Sequence, residues 1–279
     1  MSLAFYPSAL RVAGLVLLTV AVPVSGSAQS QTRVQVQIQH HARTVMVELN
    51  GVPVGLYEAE HATAIFQATH FLRNGVNRLQ IAWRQESPSG LALSVEVGRI
   101  TGGELTPVLT VEPEADPAAV KSSEGWREVA YEFEIQGVPN FTWHSAEAVG
   151  RLTDSHRAHI RELAMSLWTA FDQGDSDAVI AEISTPLFEM AGMREDIVTR
   201  TKEVYREMMA DPGWSVRPLQ AEALSIEGHG SLVRVTADLP VVEAGLGREG
   251  PGAEGRRVKL DALYYAFIDG DWTLVLIGI

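Results

Sequence analysis

No cysteine occurs among the 279 residues of the sequence. Its absence excludes disulfide bridges, a cysteine nucleophile and lipid attachment through an N-terminal cysteine. A fold without disulfides must be stabilised by burial of apolar side chains, even in an oxidising compartment. The length allows this, because a chain of this size can form two domains with separate cores.

Apolar runs long enough to span a bilayer as a helix are also absent. The run over residues 12–24 contains Pro23 and falls well short of the roughly 20 apolar residues that a transmembrane helix needs. Arg11 precedes this run and the small residues Gly26-Ser27-Ala28 follow it, which is the pattern of a secretory signal peptide. We predict a signal peptide over residues 1–28, cleavage near Ala28, and a periplasmic or extracellular chain without stable membrane insertion.

Basic side chains are scarce as well, with 22 Lys and Arg against 35 Asp and Glu and a net charge of −13 at pH 7. Nucleic acids and anionic lipid surfaces are bound chiefly through clustered positive charge, and they repel a chain of this charge. The sequence therefore predicts no nucleic-acid partner, and the net charge mainly favours solubility.

Residues 29–138 show the period-two pattern of β-strands. In RVQVQIQ, residues 33–39, the apolar residues share one face and the glutamines share the other. Turn residues such as Asn50-Gly51 separate the runs, and no helical period lies between them. We predict an antiparallel β-sandwich over residues 29–138, followed by a linker over 139–150. The predicted strands cover about residues 33–39, 44–49, 64–69, 78–83, 91–97, 107–111 and 129–135.

The stretch FLRNGVNRLQIAW, residues 71–83, resembles the late loop and strand of carbohydrate-binding-like jelly-roll domains. The resemblance implies a jelly-roll sandwich, with carbohydrate binding as one role. That role would require exposed aromatic rings on the sandwich. The aromatic candidates in this half are Tyr57, Trp83, Trp126 and Tyr131.

Helical periodicity begins with the second half of the chain, residues 151–279. Apolar residues fall on one stripe of a long helix that starts near Asp154 and stops at Gly174. Thr153, Asp154 and Ser155 are all suitable N-cap residues for this helix.

Two further helices and a group of strands complete the second half. A short helix is predicted over Ser176–Ile183, ending before Pro186, and another over Arg194–Met209. The period then returns to two, and Asp269-Gly270 is predicted to turn the last pair of strands. These four strands cover about residues 217–226, 232–239, 258–268 and 272–277.

Two stretches of this half resemble NTF2-like (SnoaL-like) domains. LAMSLWTAFDQGDSDAVIAEI, residues 163–183, is similar to the long helix, G-D turn and short helix that open such domains, and ALYYAFIDGDWTLVLIGI, residues 262–279, looks like their closing hairpin. The resemblance implies an α+β cone over residues 151–279, in which three helices and a curved four-stranded antiparallel sheet enclose an apolar pocket. Family members include isomerases, dehydratases, hydrolases, ligand-binding proteins and dimerisation modules, so the fold does not decide function. The stretch STPLFEMAGMRED, residues 184–196, lacks the strand or hairpin that the family usually places there.

Two histidines stand three residues apart at the start of the first helix, in DSHRAHIRE. On a helical wheel His156 turns toward the interior, about 40° from the centre of the apolar stripe, while Glu162 points away. A metal site needs at least three converging ligands, and this helix offers at most two. We therefore predict no metal and no cofactor, and we keep His156 as a polar residue that faces the interior.

Aromatic residues of the predicted cone are candidates to orient a mostly apolar ligand. Tyr264 and Tyr265 cannot both point inward, because neighbouring residues of a strand face opposite sides. The parity of Asp238 in its strand favours exposure. Within the pocket its carboxylate would act as a general base, and His156 and Asp238 would form the catalytic acid–base couple. The predicted ligand-binding candidates are His156, Trp168, Tyr205, Trp214 and Tyr264.

The glycine-rich stretch EAGLGREGPGAEGRR, residues 243–257, lacks the Gly-Lys-Ser/Thr ending of a phosphate-binding loop. We interpret it as a hairpin loop at the edge of the sheet. A lid or a partner-binding segment is its functional interpretation.

No motif in the sequence fixes a reaction. We predict an exported non-enzymatic binding or interaction protein, with the sandwich as a recognition module and the NTF2-like domain as a ligand-binding or dimerisation module. Its expected partner is another protein or a small apolar ligand, and a homodimer through the NTF2-like sheet is a further expectation. Two alternatives stay open: a small-molecule isomerase, dehydratase or hydrolase in the cone pocket, and carbohydrate binding by the sandwich.

Overall fold

A computed structural model describes most of the chain beyond the predicted signal peptide. Residues Gln31–Ile279 cluster as one compact unit. The predicted signal peptide, its cleavage site and most of the glycine-rich loop lie outside the described residues. The described ranges are 33–40, 43–57, 63–85, 92–101, 103–121, 125–191, 194–246 and 256–278.

The N-terminal half consists of two antiparallel sheets. One has the strand order β4-β1-β6-β7, and the other has the order β3-β2-β5-β9-β8. The predicted antiparallel strands are therefore confirmed. The strands within the described residues of this half are β1 (Arg33–Gln39), β2 (Arg43–Leu49), β3 (Val52–Tyr57), β4 (Thr63–Gln67), β5 (Gly75–Gln85), β6 (Ser94–Thr101), β7 (Glu104–Val111), β8 (Val120–Lys121) and β9 (Arg127–Ile135).

Alternation along the strands builds one hydrophobic core between the two sheets. Val36 on β1 has no exposed surface, and neither has Val47 on β2 or Ile81 on β5. The intervening polar residues lie on the outer faces, as the period of two requires. Apolar burial is therefore the main stabilising contribution in this half.

Strand β3 is absent from the sequence prediction because Pro53 and Gly55 disfavour a strand. It forms because Asn50 and Gly51 adopt positive φ angles of 53° and 80°, as a type I′ hairpin turn requires. That turn pairs β3 with β2. The turn thus outweighs the weak strand propensity of the residues that follow it.

All three α-helices within the described residues lie in the C-terminal half. They are α1 (Asp154–Asp172), α2 (Ser176–Met190) and α3 (Glu195–Met209). Thr153 is the N-cap of α1, because its hydroxyl accepts the backbone N–H of His156 at 3.2 Å. Gly174 follows α1 with a φ of 69°, which suits a helix stop. Among the described residues, no helix is long and apolar enough to cross a membrane.

The prediction that α2 ends at Ile183 is wrong, since the helix continues through Pro186 to Met190. Proline removes one backbone hydrogen bond and normally costs a helix about 3 kcal/mol. Val179, Ile183 and Pro186 are all buried. Their three- and four-residue spacing keeps one apolar stripe against the core, and this burial offsets the cost of the proline.

The C-terminal strands form two hydrogen-bonded sheets, so the prediction of a single four-stranded sheet is wrong in detail. One sheet has the order β11-β12-β15-β16, the other the order β10-β13-β14, and every pairing is antiparallel. The predicted strand 258–268 divides at Asp261, whose N–H donates to the carbonyl of Gly278 at 2.7 Å. The strands are β10 (Trp214–Val216), β11 (Ser225–His229), β12 (Leu232–Thr236), β13 (Val242–Leu246), β14 (Arg257–Leu260), β15 (Ala262–Ile268) and β16 (Asp271–Gly278).

The sheet β11-β12-β15-β16 is covered on both faces within the chain. Tyr265 faces the helices and belongs to their core, whereas Tyr264 belongs to the core of the N-terminal half. The hydroxyl of Tyr264 donates to the carbonyl of Pro53 at 3.3 Å, and its ring packs edge-on against Phe71. The homodimer expected through this sheet stays a prediction, but the face opposite the helices is already occupied by the N-terminal half.

The segment predicted as a linker, residues 139–150, packs against the N-terminal half. Trp143 is 2% exposed, and its indole N–H donates to the carbonyl of His70 at 2.9 Å. Phe141 is buried beside the His70 ring, with centroids 5.1 Å apart. These contacts hold the start of the C-terminal half in place and bring Thr142 to the end of α2 and the start of α3.

Candidate functional site

The two predicted catalytic candidates occupy different environments. The ring of His156 lies 5.6 Å from that of Trp272 and 6.3 Å from that of Phe267, and its Nδ1 is buried without a hydrogen-bond partner. Asp238 is exposed and lies beyond the end of β12. No hydrogen bond or ion pair joins these two side chains in the part of the chain that the structure describes. The acid–base couple therefore stays a prediction without a structural contact behind it.

The aromatic candidates are distributed over three places. Tyr205 and Trp214 pack on Phe171, with ring centroids 6.2 and 6.4 Å from it. The indole N–H of Trp214 donates to the carbonyl of Phe171 at 2.9 Å. The indole N–H of Trp168 donates at 3.0 Å to the carbonyl of Arg217, in the loop that follows β10. Tyr264 lies on the other face of its sheet. The polar atoms of both tryptophans are thus bound to backbone, as is usual for aromatic residues of a core.

Large side chains occupy the space between the helices and the sheet, where the NTF2-like resemblance places a pocket. Ile160, Phe171, Ile183 and Tyr265 have no exposed surface. Burial raises the pKa of Tyr265, and its hydroxyl has no hydrogen-bond partner. The pKa of Tyr205 is raised to about 12 for the same reason. This interior is a packed core, with a hydroxyl left unsatisfied.

An open cleft of about 620 Å³ lies outside this core, where α2 and α3 meet the turn at residues 142–145. Its size falls in the range of small-molecule sites. Most of its lining is polar. The lining residues are Ser184, Thr185, Phe188 and Glu189 from α2, Glu195, Val198, Thr199 and Lys202 from α3, and Asn140 and Thr142.

Helical spacing explains why these residues share one cleft. Each set consists of two pairs of residues four positions apart, 184/188 and 185/189 on α2 and 195/199 and 198/202 on α3, so each set forms one side of its helix. The two helices run antiparallel, because Asp177 near the start of α2 contacts Arg206 near the end of α3 at 3.2 Å. The facing stripes form two walls, and Asn140 and Thr142 complete the lining.

Glu189 is the most constrained polar residue of the cleft. It is 4% exposed, and its Oε1 accepts the backbone N–H of Thr142 at 2.5 Å. Burial raises the pKa of this carboxyl, and its hydrogen bonds from Thr142 act in the opposite direction. A buried carboxylate that lines a polar cleft is typical of functional sites, because the fold bears its desolvation cost.

The other groups of the cleft supply charge, hydroxyls and some apolar surface. Phe188 is 36% exposed at the rim, and the hydroxyl of Ser184 donates to the backbone carbonyl of Ile180. Within the described residues, no group of three or more His, Cys, Asp or Glu side chains could hold a metal ion. The cleft is therefore suited to hydrogen bonding and charge pairing with a small molecule.

Sequence reasoning missed this cleft because it ended α2 before Pro186. With the helix ended there, Phe188 and Glu189 fall in a loop without a defined face. Continuing the helical period through the proline would have placed Ser184, Thr185, Phe188 and Glu189 together. Nothing in the sequence indicates that Thr142, more than 40 residues earlier, meets them.

The aromatic residues predicted to bind carbohydrate on the sandwich are at least partly buried. Trp83 is 2% exposed, and Tyr57 stacks on Phe66. Trp126 lies under the guanidinium of Arg84, and Tyr131 is half-buried. Carbohydrate binding by the sandwich therefore stays a prediction, with Trp126 and Tyr131 as its partly exposed aromatic residues.

Replacing Glu189 with glutamine is expected to make the protein more stable relative to wild type as the pH rises from 4 to 7. The raised pKa means that folding favours the protonated carboxyl, whose contribution is complete below the ordinary pKa of 4.5 and is lost as pH rises through the folded value. The amide oxygen of Glu189→Gln still accepts the N–H of Thr142, so the two proteins should agree within about 1 kcal/mol at pH 4.

Urea denaturation at pH 4 and pH 7 measures this difference, with Glu222→Gln as the control because Glu222 is exposed. The opposite result would be a free energy of unfolding that rises with pH more in wild type than in Glu189→Gln. It would show that the surroundings of Glu189 stabilise the carboxylate rather than destabilise it.

No family model, curated protein or solved structure was found to match this chain.

Proposed function

We propose that this chain is an exported, non-enzymatic binding protein that takes a small polar ligand in the cleft between α2 and α3. The observation that carries the proposal is the contrast between two places. The space between the helices and the sheet is filled by side chains, whereas the cleft is open and holds the buried carboxylate of Glu189. Its polar lining favours a polar ligand over the apolar one expected from the sequence.

The two halves have separate roles in this proposal. The signal peptide over residues 1–28 directs export. The N-terminal half is a jelly-roll-like recognition module, a role supported by its two sheets around one core. The C-terminal half is an NTF2-like cone, supported by three helices packed on an antiparallel sheet. In this cone the ligand lies on the outer side of α2 and α3, and not in the interior.

Binding without reaction is the role that the groups of the cleft support. Covalent catalysis needs a nucleophile within hydrogen-bond reach of a base. The hydroxyl of Ser184 instead donates to the backbone of its own helix, and Glu189 accepts from the backbone of Thr142. Both groups are engaged in fixing the cleft walls, which preorganises a binding surface.

Ligand binding is expected to depend on Glu189 and not on the interior residues. A library of small polar metabolites would be screened by thermal unfolding of residues 29–279. A ligand at 100 times its Kd adds about 2.7 kcal/mol of stability, which raises the Tm by about 5 to 10 °C. The same ligand should stabilise Glu189→Gln much less, and it should be recovered unchanged after incubation.

Two variants serve as controls for this screen. Glu222→Gln removes an exposed carboxylate outside the cleft and should bind like wild type. His156→Gln changes the interior candidate and should also bind. If a ligand binds Glu189→Gln but no longer binds His156→Gln, the binding site is in the interior and not in the cleft. If the ligand is chemically converted during incubation, the protein is an enzyme.

A further inference from the structure

We infer that the ligand of the cleft is a small zwitterion, a molecule of the amino-acid or short-peptide class with one cationic nitrogen and one carboxylate. The inference rests on the proposed binding function and goes beyond it by naming the ligand chemistry. It is carried by the placement of opposite charges at the two ends of the same cleft.

The antiparallel pairing of α2 and α3 separates these charges. Asp177 meets Arg206 at one end of the helix pair, so Glu189, near the end of α2, lies beside the first turn of α3, which carries Glu195. Lys202 lies two turns further along α3. At 1.5 Å per residue, this places Lys202 about 10 Å from Glu195 along the helix axis. The cleft therefore has an acidic end and a basic end.

The charges of the cleft have no ion-pair partner within the described residues. Within the described residues, neither Glu195 nor Lys202 takes part in an ion pair, although other charged side chains of α3, such as Arg200 and Arg206, do. Glu189 is nearly fully buried, and its hydrogen bond comes from the backbone of Thr142, which carries no charge. A cation at this end would replace the water that the carboxylate has lost.

The space between the two ends suits the uncharged part of such a molecule. Thr185 and Thr199 supply hydroxyls on facing walls, and Val198 and Phe188 supply apolar surface. A hydrocarbon side chain would lie on Phe188, which keeps 36% of its surface exposed. The cleft thus combines two charge sites with an apolar patch, as the backbone and side chain of an amino acid require.

Other ligand classes fit these charges less well. A simple cation would pair with Glu189 and Glu195 but would leave Lys202 unsatisfied, and a simple anion would be repelled by the two carboxylates. A neutral polyol would compensate neither end. Discrimination of this kind depends on the unfavourable charge contacts of the wrong ligand as much as on the favourable contacts of the right one.

The test compares four probes that share a phenyl ring: L-phenylalanine as the zwitterion, phenethylamine as the cation, 3-phenylpropionate as the anion and 2-phenylethanol as the neutral molecule. Isothermal titration of residues 29–279 with each probe gives the affinities, with the dipeptide glycyl-L-phenylalanine as a longer zwitterion. At least one zwitterion should bind tenfold or more tightly than each of the other three probes.

Substitutions at the acidic and the basic end of the cleft test whether both charges contribute to ligand binding. Lys202→Gln should reduce zwitterion affinity tenfold or more and leave the affinity for phenethylamine unchanged or improved. Glu189→Gln should reduce the affinity for both zwitterion and cation. Lys121→Gln, an exposed lysine of the sandwich, is the matched control and should bind as wild type does.

Phenethylamine binding as tightly as the zwitterions, unchanged zwitterion affinity in Lys202→Gln, or no binding of any probe would overturn the inference. In each of these cases the proposed function survives if the metabolite screen still yields a ligand that depends on Glu189. If that screen yields none, the proposed function fails as well.

Discussion

Replacing Tyr265 with alanine is expected to lower the free energy of unfolding by about 3 to 5 kcal/mol, the usual cost of removing a buried aromatic ring. Tyr265 has no exposed surface and lies in the core between the helices and the sheet β11-β12-β15-β16. Equilibrium denaturation in urea measures the loss. A loss below 1 kcal/mol would mean that this interior is loosely packed, and it would restore the interior pocket as a candidate site.

Removing only the hydroxyl groups separates the two neighbouring tyrosines. Tyr265→Phe is expected to be neutral or slightly stabilising, because the buried hydroxyl of Tyr265 has no hydrogen-bond partner. Tyr264→Phe is expected to cost about 1 kcal/mol, because it removes the hydrogen bond to the carbonyl of Pro53. The reverse order of stabilities would contradict the hydrogen bond of the Tyr264 hydroxyl and the lack of a partner for that of Tyr265.

Acidification from pH 6.5 to pH 4 is expected to destabilise the protein through His70 by up to about 3 kcal/mol. Burial lowers the pKa of this imidazole from 6.5 to about 4, and its Nδ1 has no hydrogen-bond partner. Because the folded pKa is lower than the unfolded value, protonation favours unfolding. The stability that the neutral ring provides is therefore lost as pH falls below 6.5.

The contribution of His70 is isolated by comparing variants, since carboxyl groups also titrate in this range. His70→Gln should show a smaller loss of stability between pH 6.5 and pH 4 than wild type. His159→Gln changes an exposed histidine on α1 and serves as the matched control. A His70→Gln profile that is parallel to that of wild type would show that His70 titrates normally in the fold.

Local patterns in the sequence were sufficient for much of the architecture. The alternation in β1 predicted its buried face correctly, and Asp269-Gly270 forms the turn between β15 and β16, where Asp269 has a φ of 52°. The apolar stripe of α1 predicted a helix with Ile160 at its buried centre. Such features depend on residues close in sequence, and for that reason they can be read from it.

Features that depend on contacts between residues far apart in sequence could not be predicted from local patterns. Alternation showed that Tyr264 and Tyr265 face opposite sides, but not which of them faces the helices. That choice depends on the N-terminal half, which covers the other side and accepts the Tyr264 hydrogen bond. The continuation of α2 through Pro186 depends likewise on burial against other elements, because local propensity opposes it.

The candidate site was less predictable than the fold for the same reason. Of the predicted site residues, His156, Trp168, Tyr205 and Trp214 do lie at or beside the core of the C-terminal half, and their rings pack against other core residues. The cleft instead depends on residues from three segments, and its buried carboxylate on Glu189 is fixed by Thr142. Glu189 is a site candidate because of its contact with a residue distant in sequence, and no sequence motif identifies it.

Amide chemical-shift mapping would locate the ligand site most directly. Residues 29–279, labelled with ¹⁵N, would be titrated with the tightest-binding compound of the metabolite screen. Binding in the cleft predicts that the largest shifts lie at residues 140–142, 184–189 and 195–202. Largest shifts at His156, Tyr265 and their neighbours in the interior, or on the strands of the N-terminal half, would contradict the assignment of the cleft as the binding site.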